Sequence, residues 1–528
     1  MMNHGSRLSR RNFLNAASMT GLALLLVDCT SRPTGILAVP LQPSADSAVE
    51  IDLAAVVGEQ GIFDGPKTKV WQYEGKVVRG DANMIQQISG SYLGPVIRVK
   101  TGQRVRVNFT NRVTEPSIVH WHGLHLPQEM DGHPMYAIQP GETYHYEFQV
   151  LDRAGTYWFH PHPEPLTGAQ VYRGLAGLFI VSDDEESQAG LPAGAFDVPL
   201  VIQDRVFDGD NQFVYLSDGM MAPMTGALGD TILVNGRPDF MLPAAASVYR
   251  LRLLNGSNAR TYKLAWDDGT PLTVIGTDGG LLESAVQRPY IMLSPGERIE
   301  LWVDFSEKAV GSQLHLVSLA FSDGGMMGMM GGNSLLANGD PFPVMTVQID
   351  QVGTGQKFTL PQKLSTILRY QEQDAANRRT FALGMGGMGG MMGGMGMGWT
   401  INGRTFEMEK VAQDEIVKRN TLELWVYDNQ GNGGGMMGGM MQMLHPMHIH
   451  GLQFQVLGWE VDPNYQSAWD SVREGLITEG WKDTVMVMPG TRVKLLMKFQ
   501  DFTGLFLHHC HILEHEDAGM MRNYRIDA

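Results

Sequence analysis

Past residue 45 the chain is written in short runs that alternate between hydrophobic and polar residues, separated by Pro-Gly and Asn-Gly pairs. A period of two sends successive side chains to opposite faces of a strand, and no long stretch carries the competing 3.6-residue period of an amphipathic helix. Three runs share one design. Gln139-Pro140-Gly141 opens into an alternating run ending at Phe148, Ser294-Pro295-Gly296 into one ending at Phe305, and Met488-Pro489-Gly490 into one ending at Phe499. Val234-Asn235-Gly236-Arg237 likewise returns as Ile401-Asn402-Gly403-Arg404 near the start of a unit. A design repeated three times in 528 residues predicts three units, each large enough to bury a core. The expectation is an all-β chain of three antiparallel Greek-key β-sandwich domains over residues 46–187, 188–355 and 356–528.

Four histidine clusters sit on this frame: His120-Trp121-His122, His160-Pro161-His162, His445-Pro446-Met447-His448-Ile449-His450, and His509-Cys510-His511 followed by His515 and Met520. They take up ten of the sixteen histidines. A thiolate with an imidazole five residues on and a thioether ten residues on is the soft set that suits an electron-transfer copper, lacking one more imidazole. His445, three residues before His448, supplies it. In an extended strand His509 and His511 point away from Cys510, so one strand ties two metal sites together, and each His-x-His sends both imidazoles to one face. Gly155 stands five before His160 as Gly504 stands five before His509, and His120-Trp121-His122-Gly123 aligns with His448-Ile449-His450-Gly451. The first and third units therefore each donate two pairs to a shared cluster. The middle unit has only His315 and reads as a spacer without metal.

In this order the four clusters resemble the motifs of the multicopper oxidases. The resemblance implies cupredoxin-like domains over nearly the whole chain past the leader, and four copper ions. Type 1 copper would be held by His445, Cys510, His515 and Met520, type 2 by His120 and His448, and the type 3 pair by His122, His160, His162, His450, His509 and His511. It implies one-electron oxidation of a reducing substrate at type 1 and reduction of O2 to water at the other three, with Cys510 linking the sites covalently through its two neighbours. Water formation consumes protons, and Asp131 and Glu516 match positions where the bacterial cuprous-oxidase branch carries proton-relay acids. That branch also places an acid four residues before the first type 1 histidine, within a substrate-copper site. Met441 stands there in this chain and Met443 matches a methionine of that site, so both are candidate substrate-copper ligands while the acid is missing.

Three Gly/Met tracts point to the reductant: Met326-Met327-Gly328-Met329-Met330, residues 385–397, and residues 436–443 just before His445. Thioethers are soft ligands that select Cu(I). The expected activity is oxidation of Cu(I) to Cu(II) at the expense of O2, in copper tolerance. The rival within the class is laccase-like oxidation of phenols or aromatic amines; ferrous or manganous ions would prefer carboxylate-rich entry sites. A copper storage protein would need none of the eight cluster histidines. A structural protein resembling exported cell-division factors would have lost the ligands, and a two-domain nitrite reductase fits neither the three repeats nor His509-Cys510-His511. The formal net charge of −16 argues against nucleic acid or an anionic membrane surface as partner. Ser9-Arg10-Arg11-Asn12-Phe13-Leu14 before the apolar residues 22–27 resembles a twin-arginine signal, which makes residues 1–45 a leader and the protein exported or periplasmic. Cys29 falls in that leader, so no disulfide framework is expected. No other stretch approaches the ~20 apolar residues of a membrane span.

Overall fold

The computed structural model describes residues 49–216, 222–324, 336–353, 355–385, 398–431 and 442–528. Residues 1–48, which include the expected leader, Met441 and most of the three Gly/Met tracts lie outside the described residues, whereas Met385 and Met443, at the ends of two tracts, lie within them. Strands follow one another in three pairs of sheets, so the chain is all-β and built of three cupredoxin-like sandwiches. In the first, a sheet ordered Thr68–Arg79, Val49–Gln60, Arg104–Asn111, Thr143–Gln149 faces one ordered Ile85–Gln86, Val96–Lys100, Gly177–Ser182, Gly155–Pro161, Val119–His122. The middle sandwich sets seven strands around Val248–Asn255 and Arg298–Asp304 against five around Gln313–Ser318. In the third, five strands around Thr421–Asp428 face a sheet ordered Ile416–Lys418, Met521–Asp527, Gly504–Cys510, His445–Ile449, Thr484–Val487.

The expectation of purely antiparallel sheets is corrected. Val49–Gln60 runs parallel to Arg104–Asn111, Asp197–Arg205 to Val248–Asn255, and Asn377–Met385 to Thr421–Asp428, the same departure in each sandwich. Long connections return the chain in its starting direction, and alternation of side chains carries no information about strand direction. The turns behave as read. Gly141, Gly296 and Gly490 have φ of 90°, 83° and 72°. Asn235-Gly236 and Asn402-Gly403 have positive φ at both residues, as a type I′ hairpin turn requires.

Each sandwich has its own core, centred on Phe109, Trp121 and Phe159 in the first, Leu251, Ile291 and Leu301 in the second, and Trp425, Val493 and Met497 in the third. Smaller apolar clusters seal the joints. Tyr92, Trp158, Val201 and Leu254 join the first sandwich to the second, and Met292, Leu444, Met486 and Met488 join the second to the third. Buried seams of this kind hold the sandwiches in fixed register, which a site shared between them needs.

Candidate metal centres

Local pairing sets the histidines in rows. His120 lies opposite His160 in the first sandwich and His448 opposite His509 in the third. The two rows face one another, and eight imidazoles meet there, none more than 1% exposed. His120 Nε2 lies 3.3 Å from His448 Nε2, and His509 Nε2 lies 3.0 Å from His450 Nε2 and 3.5 Å from His162 Nε2. The His511 ring sits 5.0 Å from His122 and 5.4 Å from His160, centre to centre.

The outer nitrogens decide what the inner ones can do. Nδ1 of His120, His448, His160 and His509 bonds the carbonyls of Asp131, Asp483, Pro161 and Cys510 at 2.6, 2.8, 3.0 and 3.0 Å. A carbonyl only accepts, so each Nδ1 carries the hydrogen and each Nε2 keeps a lone pair turned inward. His122 is reversed: its Nε2 donates to Asp483 Oδ1 at 2.9 Å and its Nδ1 is left without a partner. His160 Nε2 and both His511 nitrogens are also buried without partners among the described residues. Each such atom costs about 1–3 kcal/mol unless something takes its lone pair, and a cation does so. Burial also pushes the imidazoles of His120, His122, His160, His450 and His511 well below their usual pKa, into the neutral form that ligates metal.

On the other face of the Gly504–Cys510 strand, Cys510 Sγ lies 3.5 Å from His445 Nδ1 and 3.6 Å from His515 Nδ1. The short helix Leu513–Asp517 brings His515 back, and Met520 follows through backbone bonds from Met520 N to His515 O and from Cys510 N to Met520 O. Cys510, His445, His515 and Met520 are all fully buried. His508 shares this face, as alternation requires, and is taken up in packing against Phe381 and in a 3.0 Å bond with the Tyr427 hydroxyl.

The two sequence-predicted acids flank the eight-histidine nest. Asp131 Oδ2 lies 2.7 Å from His450 Nδ1, and Glu516 lies 3.4 Å from His162 Nε2 and 3.1 Å from His509 Nδ1. Their environments differ in sign. Burial pushes the Asp131 carboxyl well above the usual range, whereas in Glu516 the opposing effect of burial is outweighed by His162 and His509, which hold it well below. The two carboxyls beside the nest are thus shifted in opposite directions.

The middle unit, expected to be a spacer without metal, also reaches the nest. Arg298, fully buried at the start of its strand, donates to Asp483 Oδ1 at 2.8 Å and Oδ2 at 2.5 Å, and to the carbonyl of Thr156 in the first sandwich. Asp483 in turn fixes His122, so one guanidinium joins all three sandwiches behind the nest. Gly296 presses against the nest as well: a Cβ there would lie 2.9 Å from the His511 ring. Asp483 and Arg298 were missed because the repeat disguises Arg298. Its counterpart in the third copy is Arg492, a half-exposed strand residue paired with Asp428. The available signal was Lys482-Asp483, two charges at the mouth of the apolar strand Thr484–Val487.

Comparison with known proteins agrees with this geometry. Two family models, both described as multicopper oxidase, match residues 69–186 and 360–528. The multicopper oxidase mco of Staphylococcus haemolyticus (strain JCSC1435) is 32% identical over 438 residues, 83% of either chain. The chain belongs to the multicopper oxidase family. The laccase of Bacillus subtilis (strain 168) is 29% identical over 510 residues, covering 87% of this chain and 90% of that one. The crystal structure of the McoA multicopper oxidase from Aquifex aeolicus superposes with a TM-score of 0.74 at 35% identity, covering 92% of this chain and 97% of that one. A multicopper oxidase is an oxidoreductase that uses copper, O2 and a reducing substrate. The donors present, inward imidazole lone pairs and a thiol between two imidazoles, fit copper. No helix among the described residues is long and apolar enough to cross a membrane.

Proposed function

We propose that this multicopper oxidase holds four copper ions and uses O2 to oxidise Cu(I) to Cu(II) outside the cytoplasm, in copper tolerance. His445, Cys510, His515 and Met520 would hold the type 1 ion, His120 and His448 the type 2 ion, and His122, His160, His162, His450, His509 and His511 the type 3 pair. Bound there, copper supplies one-electron redox chemistry, taking single electrons from the reductant and passing four to O2. The balance is four Cu(I), four protons and one O2 giving four Cu(II) and two waters. The protein's part is to hold and deliver the protons, for which the Asp131 carboxyl at His450 and the Glu516 carboxyl between His162 and His509 are placed. Replacing Asp131 by Asn keeps the packing and removes the proton. The expected result is O2 reduction slowed by about 10²–10⁴, the usual worth of a positioned acid, with the blue absorption intact. Unchanged turnover in stopped-flow and O2-electrode assays would remove the role.

For Cu(I) as substrate, one observation carries the reading. Met385 and Met443, the described ends of two Gly/Met tracts, both pack on the core that contains Cys510 and Met520. One end of each of these two tracts therefore lies on the core that also holds the mononuclear site, which supports a candidate substrate-copper role for Met443; Met441 keeps that role on sequence alone. Deleting residues 386–397 is expected to raise the KM for Cu(I) at least several-fold while leaving phenol oxidation unchanged. Undiminished Cu(I) kinetics would show the tract to be an idle insertion. The likeness to a laccase supports the second reading, oxidation of phenols, and that enzyme would show the opposite preference. Export rests on the twin-arginine pattern around Arg10 and Arg11, which lies outside the described residues.

A further inference from the structure

Both imidazoles of the mononuclear site are fully buried, so some residue must cover them. His515 turns its outer Nε2 to the Met224 carbonyl, 2.8 Å away on the middle sandwich's helix Ala222–Thr225. His445 has no such cap; its Nε2 is buried without a partner among the described residues. Among the described residues, one side chain lies against both. The indole of Trp399 stands edge-on to His445 at 4.9 Å between ring centres and tilted at 37° over His515 at 4.6 Å. These are contact distances for aromatic pairs, and no second ring fits between.

Trp399 is held firmly. It is 2% exposed, pairs with Met385 across the Asn377–Met385 strand, and is followed by Thr400, whose hydroxyl donates to the Gly384 carbonyl at 3.0 Å. The Trp399 Nε1–H is buried with no acceptor among the described residues, a cost of about 1–3 kcal/mol that a phenylalanine filling most of the same space would avoid.

We propose that Trp399 is the specificity-determining residue of this oxidase: its indole shuts both mononuclear-site imidazoles off from bulky organic reductants, leaving electron entry to donors that act across the indole. The proposal rests on the assignment of His445, Cys510 and His515 as ligands and deepens the preference for Cu(I) over phenols. A phenol must lie against an imidazole to reduce the metal quickly, and the indole occupies that place. A cuprous ion held by thioethers outside needs no such approach.

The test uses Trp399→Ala and Trp399→Phe in the full chain carrying Cys29→Ser, which leaves Cys510 as the sole thiol. In the copper-free protein, alkylation of Cys510 by a small maleimide is expected to be about tenfold faster in the alanine variant than in the parent or the phenylalanine variant, a barrier change of ~1.4 kcal/mol. In the copper-loaded protein, with blue absorption retained, kcat/KM for 2,6-dimethoxyphenol is expected to rise about tenfold in the alanine variant, while that for Cu(I) does not rise. A merely structural role would move both substrates together. Alkylation and phenol kinetics that match the parent, or equal gains for phenol and Cu(I), would overturn the proposal. If the alanine variant fails to fold, Trp399→Leu makes the same comparison with a smaller void. The ligand assignment fails separately, by persistence of blue absorption in Cys510→Ser.

Discussion

Cys510→Ser is expected to abolish the blue absorption and all measurable turnover with any reductant, while O2 access to the nest stays unchanged. Cys510 lies between His445 and His515 at 3.5 and 3.6 Å and is bonded through its own backbone to His509 and His511. Cys510 is the only cysteine among the described residues, and Met520 offers only a thioether. A serine keeps the shape but not the soft anionic donor that copper prefers. Absorption spectra and copper content, read alongside an O2 electrode, separate the outcomes. Residual turnover above about a hundredth of the parent would mean that reductants reach the nest directly, over a barrier less than ~2.7 kcal/mol above the parent's.

Arg298→Met is expected to have the second large effect, although Arg298 touches no candidate ligand. It leaves Asp483 a fully buried carboxylate that has lost its bidentate partner, and breaking such a pair costs about 3–5 kcal/mol. Asp483 then no longer aims His122 reliably, and loss of an outer partner of this kind lowers metal affinity about 10–100-fold. The copper-free variant should unfold at lower denaturant, and the reconstituted variant should lose copper from the nest while keeping its blue absorption. Adding Asp483→Asn removes the stranded charge and should restore most of the stability but not the copper. Parent-like copper content in Arg298→Met would show that the middle sandwich has no part in the site.

These two residues mark how far the sequence could be read. Cys510 and the ten histidines were legible because copper demands particular donor types, and eight of those histidines fall in pairs at the strand spacing of two. The three sandwiches were legible from Pro140-Gly141, Pro295-Gly296 and Pro489-Gly490, turns whose glycines take positive φ. Arg298, Asp483 and Trp399 were harder to read, since each acts on a partner between 46 and 361 residues away, and only the charged pair Lys482-Asp483 ahead of an apolar strand gave a local sign. The parallel pairing of Asn377–Met385 with Thr421–Asp428 was hidden for a related reason, because strand direction follows from the path of the connection and leaves no trace in alternation.

The most direct test of the central claim is O2 consumption by the copper-loaded protein, with Cu(I) and with 2,6-dimethoxyphenol supplied separately at matched concentrations. Faster uptake is expected with Cu(I), with one O2 consumed for four Cu(I) oxidised, and loss of both activities in Cys510→Ser. Brisk uptake with the phenol and none with Cu(I) would contradict that claim and make the protein a laccase.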